Sequence, residues 1–302
     1  MKKYLLTFLT LTFFSIFSSA AQAQINVFAC EPEWASLVFE IAGDKAIIFT
    51  AVTAQQDPHT VAAKPSLIAQ MRKADLVIGS GAELETGWLS ILLQKAGKKS
   101  VQMGAENNIM AADYVKLLEV PKQLDRSMGD IHAEGNPHVH LNPNNLLSVS
   151  DAVLARLSAL DPANKAYFEQ RHEAFNKKIQ NQIQIWEKQA APLKGMAVIS
   201  NHPNMTYLYD WLGIVSAGTL EPKPGVPPTS KHLSELIDIA KKKNVRLIAY
   251  APYENPKTAK WLSGKTGIPA AEMPFTVGGS GTKDLFELFD KTIQILLSNK
   301  EG

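Results

Sequence analysis

One cysteine, Cys30, is all the sequence offers, so no disulfide can close within the chain and packing alone must hold the fold. Net charge is nearly absent as well. The formal +2 comes from Lys2 and Lys3, and beyond Ala23 the chain carries 29 basic and 29 acidic residues. Without a basic surplus or a long Lys/Arg run there is no electrostatic footprint for nucleic acid, which excludes that class of partner. After the first residues no apolar run reaches the roughly 20 residues of a bilayer crossing, so the remainder is expected to be soluble. The His-Glu-x-x-His helix of many zinc hydrolases is missing too. What is present is ordinary globular composition over 302 residues, 45% apolar and 20% charged, enough chain for two packed cores.

The N-terminus reads as a leader. Met1-Lys2-Lys3 supplies positive charge, Tyr4 to Phe17 an apolar stretch, and Ala21-Gln22-Ala23 a small-x-small site, the pattern of a cleaved secretory peptide over residues 1–23. Cys30 lies past that site behind the bulky Phe28, and we read it as a buried thiol at a strand end rather than a lipid-bearing one.

From Ile25 onward β-rich runs alternate with helical spacing: Ile25 to Ala29, a helix over Glu33 to Ile41, then Ala46 to Val52. A helix opened by Pro65, a strand Asp75 to Ile78, a helix near Glu85 to Lys95 and a strand around Val101 continue it. Such alternation implies a parallel sheet covered on both faces. From about Asn144 the pattern turns wholly helical. No Gly or Pro occurs from Ala163 to Ala190, while Phe168, Phe175, Ile179, Ile183 and Trp186 recur at helical spacing. That predicts one helix roughly 40 Å long. After Pro192 the alternation resumes, with strands Met196 to Ser200, Ile214 to Ala217 and Val245 to Tyr250 among helices, the last over Leu285 to Leu297. The expected class is α/β: two small parallel-sheet lobes joined by one long rigid helix. Its parts are a signal peptide (1–23), an N-terminal lobe (24–143), a helical connection (144–191) and a C-terminal lobe (192–302). A ligand belongs in the cleft between lobes, at the carboxyl ends of the strands.

Five of the seven histidines fall in three loops. His59 stands in Asp57-Pro58-His59 after the second strand, His132, His138 and His140 in the stretch 129–140, and His202 in Asn201-His202-Pro203. His172 and His232, on helices, are expected to be solvated. Neutral imidazole is the commonest metal donor, and three with a fourth position suit tetrahedral Zn²⁺.

With Asp57-Pro58-His59, Asn136-Pro137-His138 and a strand-end His202 in a secreted two-lobed chain, the sequence resembles the zinc/manganese-type periplasmic solute-binding proteins of ABC transporters. The resemblance spans essentially all of the chain after the leader, and Ala74-Asp75-Leu76-Val77 and Gly81-Ala82-Glu83-Leu84-Glu85 belong to it. It implies metal ligation by His59, His138 and His202 at the lobe interface. It also implies a carboxylate ligand from a C-terminal loop, but Val277 stands where that Asp would align. The fourth ligand is therefore open among a water, His140, His132 and Glu134, of which the three residues are candidate accessory ligands. Three imidazoles without the hard oxygen donor shift preference from Mn²⁺ toward Zn²⁺. Asp57, Asn201 and Glu221 are candidates to accept the second ring N–H of the ligands.

The function implied is capture of a divalent transition metal, zinc before manganese, in the periplasm and its delivery to an inner-membrane ABC permease, by a monomer that is not an enzyme. The alternative is a secreted zinc-dependent hydrolase, suggested by the His138-Val139-His140 pair, which would need a general base beside metal-bound water.

Overall fold

The computed structural model describes residues 24–123, 129 and 132–300; the leader, 1–23, lies outside them. Two four-stranded parallel sheets form the frame. The first is built from β1 (Ile25–Ala29), β2 (Ala46–Thr50), β3 (Leu76–Gly79) and β4 (Asn108–Met110) in the order β2-β1-β3-β4. The second takes β5 (Ala197–Ser200), β6 (Val215–Thr219), β7 (Val245–Tyr250) and β8 (Ala270–Glu272) in the order β6-β5-β7-β8. The inner strands β3 and β5 are buried at every residue, as a sheet covered on both faces requires.

Around the first sheet lie α1 (Pro32–Ala42), α2 (Pro65–Lys73) and α3 (Leu89–Ala96), and around the second α6 (Thr206–Leu212), α7 (Ser230–Lys242), α8 (Lys257–Thr266) and α9 (Leu285–Ser298). Proline opens α1 and α2, where its fixed φ suits the first turn and its missing N–H costs nothing. Between the sheets run α4 (Pro143–Leu160), capped by the Asn142 side chain on Asn144 N, and α5 (Lys165–Ala190), 26 residues without a breaker.

The long helix is packed along its length rather than spanning solvent. Phe168, Phe175, Ile179, Ile183 and Trp186 form its buried stripe, and Trp186 meets Phe289 of α9 at 4.9 Å between ring centroids. Each buried aromatic ring removes roughly 150–250 Å² from water, on the order of 4–6 kcal/mol of gross transfer free energy. The largest apolar cluster runs from β1 and β3 through α1, α4, α5 and α9 to β5 and β7. One core thus joins the lobes.

Two strand expectations are corrected. Val101 sits in a short 3-10 turn, and the fourth strand forms instead at Asn108–Met110, where Asn108 Nδ2 donates to Val101 O at 2.8 Å. Ala270–Glu272 adds a strand that the sequence did not announce. Nor are the two helical histidines solvated side chains. His172 Nε2 lies 3.0 Å from Asp151 Oδ1 and 3.1 Å from Ser150 Oγ, tying α5 to α4, and His232 Nε2 bonds Thr219 O at 2.8 Å.

Candidate metal centre

Two loops at the carboxyl ends of strands and the stretch leading into α4 bring the histidines together. His59 follows β2, His202 follows β5, and His138 precedes α4. A ring nitrogen from each of His59, His138 and His202 lies within 4.8 Å of the other two. Their ring centroids are 5.6 Å apart for His59 with either partner and 6.2 Å between His138 and His202. His132 lies beside one of them, its Nε2 3.3 Å from His59 Nε2.

Each loop is held by named bonds. Asp57 Oδ1 accepts from His59 N at 2.9 Å and lies 2.8 Å from His59 Nδ1, fixing both backbone and ring. Trp88 Nε1 donates to Pro58 O at 2.9 Å from the other side. Glu221 Oε2 sits 2.8 Å from His202 Nδ1 and also accepts from Gly225 N. In both pairs the carboxylate engages Nδ1, which presents Nε2 as the donor atom. Asn136 Oδ1 accepts from His138 N at 3.0 Å, and its Nδ2 donates to Pro203 O at 2.8 Å, so one side chain links the His138 loop to the residue after His202. Tyr207 steadies the same turn by donating to Asn136 O at 2.9 Å while accepting from Leu118 N at 3.0 Å. Gly129, at φ +87°, rests so close to Pro224 O that a Cβ there would come within 2.5 Å of it.

Electrostatics keep the His138 ring available. His138 is 1% exposed, and burial with the neighbouring His59, His202, His140 and His132 rings pushes its pKa well below the ordinary value, holding it neutral. Its Nδ1 is buried with no hydrogen-bond partner. Burial alone would raise Asp57, but the His59 ring and backbone N–H hold it below the usual carboxylate range. Beside the rings a cavity of about 690 Å³ is lined by Asp57, His59, Asn201, His202, Glu221 and Glu254. Burial pushes Glu254 up to about 8 against the bonds it accepts from Ala251 N and the Asn201 side chain.

The sequence model of the family described as zinc-uptake complex component A, periplasmic (ZnuA), matches residues 27–298. The chain belongs to that family. Its members are substrate-binding proteins of ABC transporters that bind metal ions. The chain is 24% identical over 261 residues to the metal ABC transporter substrate-binding lipoprotein SloC of Streptococcus mutans, covering 85% of this chain and 82% of that protein. With the manganese ABC transporter substrate-binding lipoprotein PsaA of Streptococcus pneumoniae it shares 24% identity over 265 residues, 86% of this chain and 82% of that one. The zinc-binding lipoprotein AdcA of the same species is 25% identical over 233 residues, and this chain spans 45% of its length. In fold it matches a crystal structure of ZnuA with a TM-score of 0.75 at 20% identity, covering 92% of this chain and 99% of that one.

Within this ZnuA-family fold the other sequence candidates take separate places. His140 is turned away from the imidazole group: its Nε2 bonds Phe275 O at 2.8 Å, and its Nδ1 lies 3.1 Å from Glu33 Oε1, close but not aligned as a hydrogen bond. Glu134 is exposed and lines a different cavity, with Glu83 and Asp113. The Asn201 side chain bonds Glu254. Val277 is half-buried and packs against the main core. Sequence reading missed Phe275, whose ring lies 5.2 Å from that of His138 and 5.1 Å from that of His140, and Glu33, which accepts from Thr276 Oγ1 beneath them. It also missed the parts played by Trp88 and Tyr207. For Asn136 a signal existed, since Asn two residues before a loop His is the pattern of an Asx turn.

Proposed function

We propose that this protein captures Zn²⁺ with four imidazoles, those of His59, His132, His138 and His202, and passes it to an inner-membrane ABC permease. The observation that carries the reading is the 3.3 Å separation of the His59 and His132 Nε2 atoms. With Zn–N bonds of roughly 2.0–2.1 Å, the edge of a tetrahedral site is about 3.3–3.4 Å. An all-nitrogen set without the carboxylate that Val277 displaces favours zinc over manganese, which prefers oxygen. The zinc-binding relative AdcA and the manganese relative PsaA bracket that choice. The leader pattern at 1–23 supports export by cleavage to the periplasm, where the protein acts as a monomer. Among the described residues no helix is long and apolar enough to cross a membrane. Cys30 follows β1 directly and is fully buried, so a chain cut at that residue to carry lipid would lose a sheet strand.

A secreted hydrolase is less well supported. The carboxylates bonded to these rings, Asp57 and Glu221, each engage an Nδ1, which makes them orienting groups rather than bases for a metal-bound water. The test is a zinc titration at neutral pH against a chromophoric chelator, on wild type and His132→Ala, repeated with Mn²⁺. One exchangeable zinc, weakened at least about tenfold in the variant and not displaced by Mn²⁺, is expected. Equal affinity for both metals, or an unaffected variant, would overturn the four-imidazole reading.

A further inference from the structure

A second donor set lies where β1 and β3 end side by side. Ala29 pairs with Ile78, so Cys30 follows on one strand as Gly79 does on the other. In the order β2-β1-β3-β4 this is the point where the chain's direction of winding changes, the place where open α/β sheets gather ligands. Cys30 is 0% exposed, Glu31 2% and Glu85 3%, and one donor atom from each lies within 4.8 Å of the other two. Gly79 makes the room: a Cβ there would stand 2.7 Å from Glu85 Oε1 and 3.0 Å from Cys30 Sγ.

We infer that Cys30, Glu31 and Glu85 form a second, structural binding site for a thiophilic divalent cation of the zinc class. Ser80 organises the carboxylates. Its backbone N–H donates to Glu85 Oε1 at 2.6 Å, and its hydroxyl, itself accepting from Trp34 Nε1 at 3.0 Å, donates to Glu31 Oε2 at 3.4 Å. Gly81 N adds a bond to Glu85 Oε2 at 3.1 Å. Glu31 Oε1 is buried with no partner but the neighbouring Glu85 carboxyl, two acids side by side that call for a shared proton or a cation. Such oriented carboxylates beside a thiol make a mixed sulfur and oxygen set suited to zinc.

An approach exists. Glu85 lines a cavity of about 310 Å³ whose other walls include Glu83, Asp113 and Glu134. Between Ser80 and Glu85 the backbone holds Ala82 at φ 44° and Glu83 at φ 68°, strained positions for side-chain-bearing residues and of the kind found at binding loops.

The mature chain, refolded in the presence of Co²⁺ and freed of excess ion, provides the test. Two equivalents are expected, with a near-ultraviolet sulfur-to-cobalt charge-transfer band. The His59→Ala/His138→Ala/His202→Ala variant should keep one equivalent and the band, and Cys30→Ser should lose both the second equivalent and the band. Absence of the band in wild type, where no substitution can be blamed, or its persistence in Cys30→Ser, would overturn the inference. A single bandless equivalent in wild type, lost in the triple variant, would leave the imidazole site standing and remove this one. The band with an unchanged equivalent count in the triple variant would do the reverse.

Discussion

Replacing Glu85 by glutamine should change how stability depends on pH, by an amount the structure sets. Glu85 is 3% exposed, and burial raises it from 4.5 to about 7 against the bonds from Ser80 and Gly81 N–H. In the unfolded chain it titrates near 4.5. Between those pH values the folded protein keeps a proton that the unfolded chain has released, so the stabilisation is complete below the lower value and lost as pH rises through the upper one. At about 1.4 kcal/mol per unit, the loss is on the order of 3 kcal/mol, or roughly 6–10 °C in melting temperature for a chain of this size. The substituted glutamine can still accept from Ser80 N–H, and its amide can donate toward Glu31 Oε1, so the fold is kept while this proton is removed from the balance. Urea unfolding of chelator-treated wild type and Glu85→Gln across pH 4.5 to 7 gives the difference directly. Glu254 and His138 contribute equally to both proteins and cancel, while Glu31, raised by the Glu85 charge and bonded to it, changes with the substitution. Parallel curves for the two proteins would refute the reasoning.

His59→Ala, His138→Ala and His202→Ala should each weaken zinc more than about tenfold by competition titration, whereas His172→Ala, which bonds only α4 and its own helix, should leave zinc affinity unchanged while lowering the melting temperature. Asp57→Asn and Glu221→Gln keep the shape but weaken the acceptor at Nδ1, so zinc affinity should fall about 10–100-fold with an unchanged far-ultraviolet circular dichroism spectrum. Tyr207→Phe strands the Leu118 N–H and the Asn136 carbonyl; a loss of about 1–3 kcal/mol in denaturant unfolding is expected, with a smaller effect on zinc.

Legibility from sequence followed the range of the interaction concerned. Period alone marked α5, because 26 residues without a breaker carry an apolar stripe that only a helix can bury. The histidine loops were legible because each of the three ligand candidates sits beside a Pro, and His59 and His202 stand at strand ends that a parallel sheet puts on one side. Asp57, two residues from His59, was within reach of local reading, and Glu221 was a candidate only because a ligating imidazole normally donates its second ring N–H. The two short strands were not legible. Asn108–Met110 opens on a polar residue that a turn would use equally well, and Ala270–Glu272 has little intrinsic strand preference, so both are fixed by pairing with β3 and β7. The setting of His140, a candidate accessory ligand, was not legible for a related reason. Its partners, Glu33 and Phe275, lie more than a hundred residues away on either side, and no spacing rule connects them. The Glu31 and Glu85 pair is invisible for the same cause, since only the β1 and β3 register brings it together.

The unbroken apolar cluster through α1, α4, α5 and α9 bears on how cargo comes and goes. Swinging the halves apart would wet that seam, and at roughly 25 cal/mol per Å² even a few hundred Å² uncovered costs several kcal/mol. That seam therefore opposes a wide swing of one lobe against the other and leaves the rim loops as the part of the cleft with least apolar packing to undo.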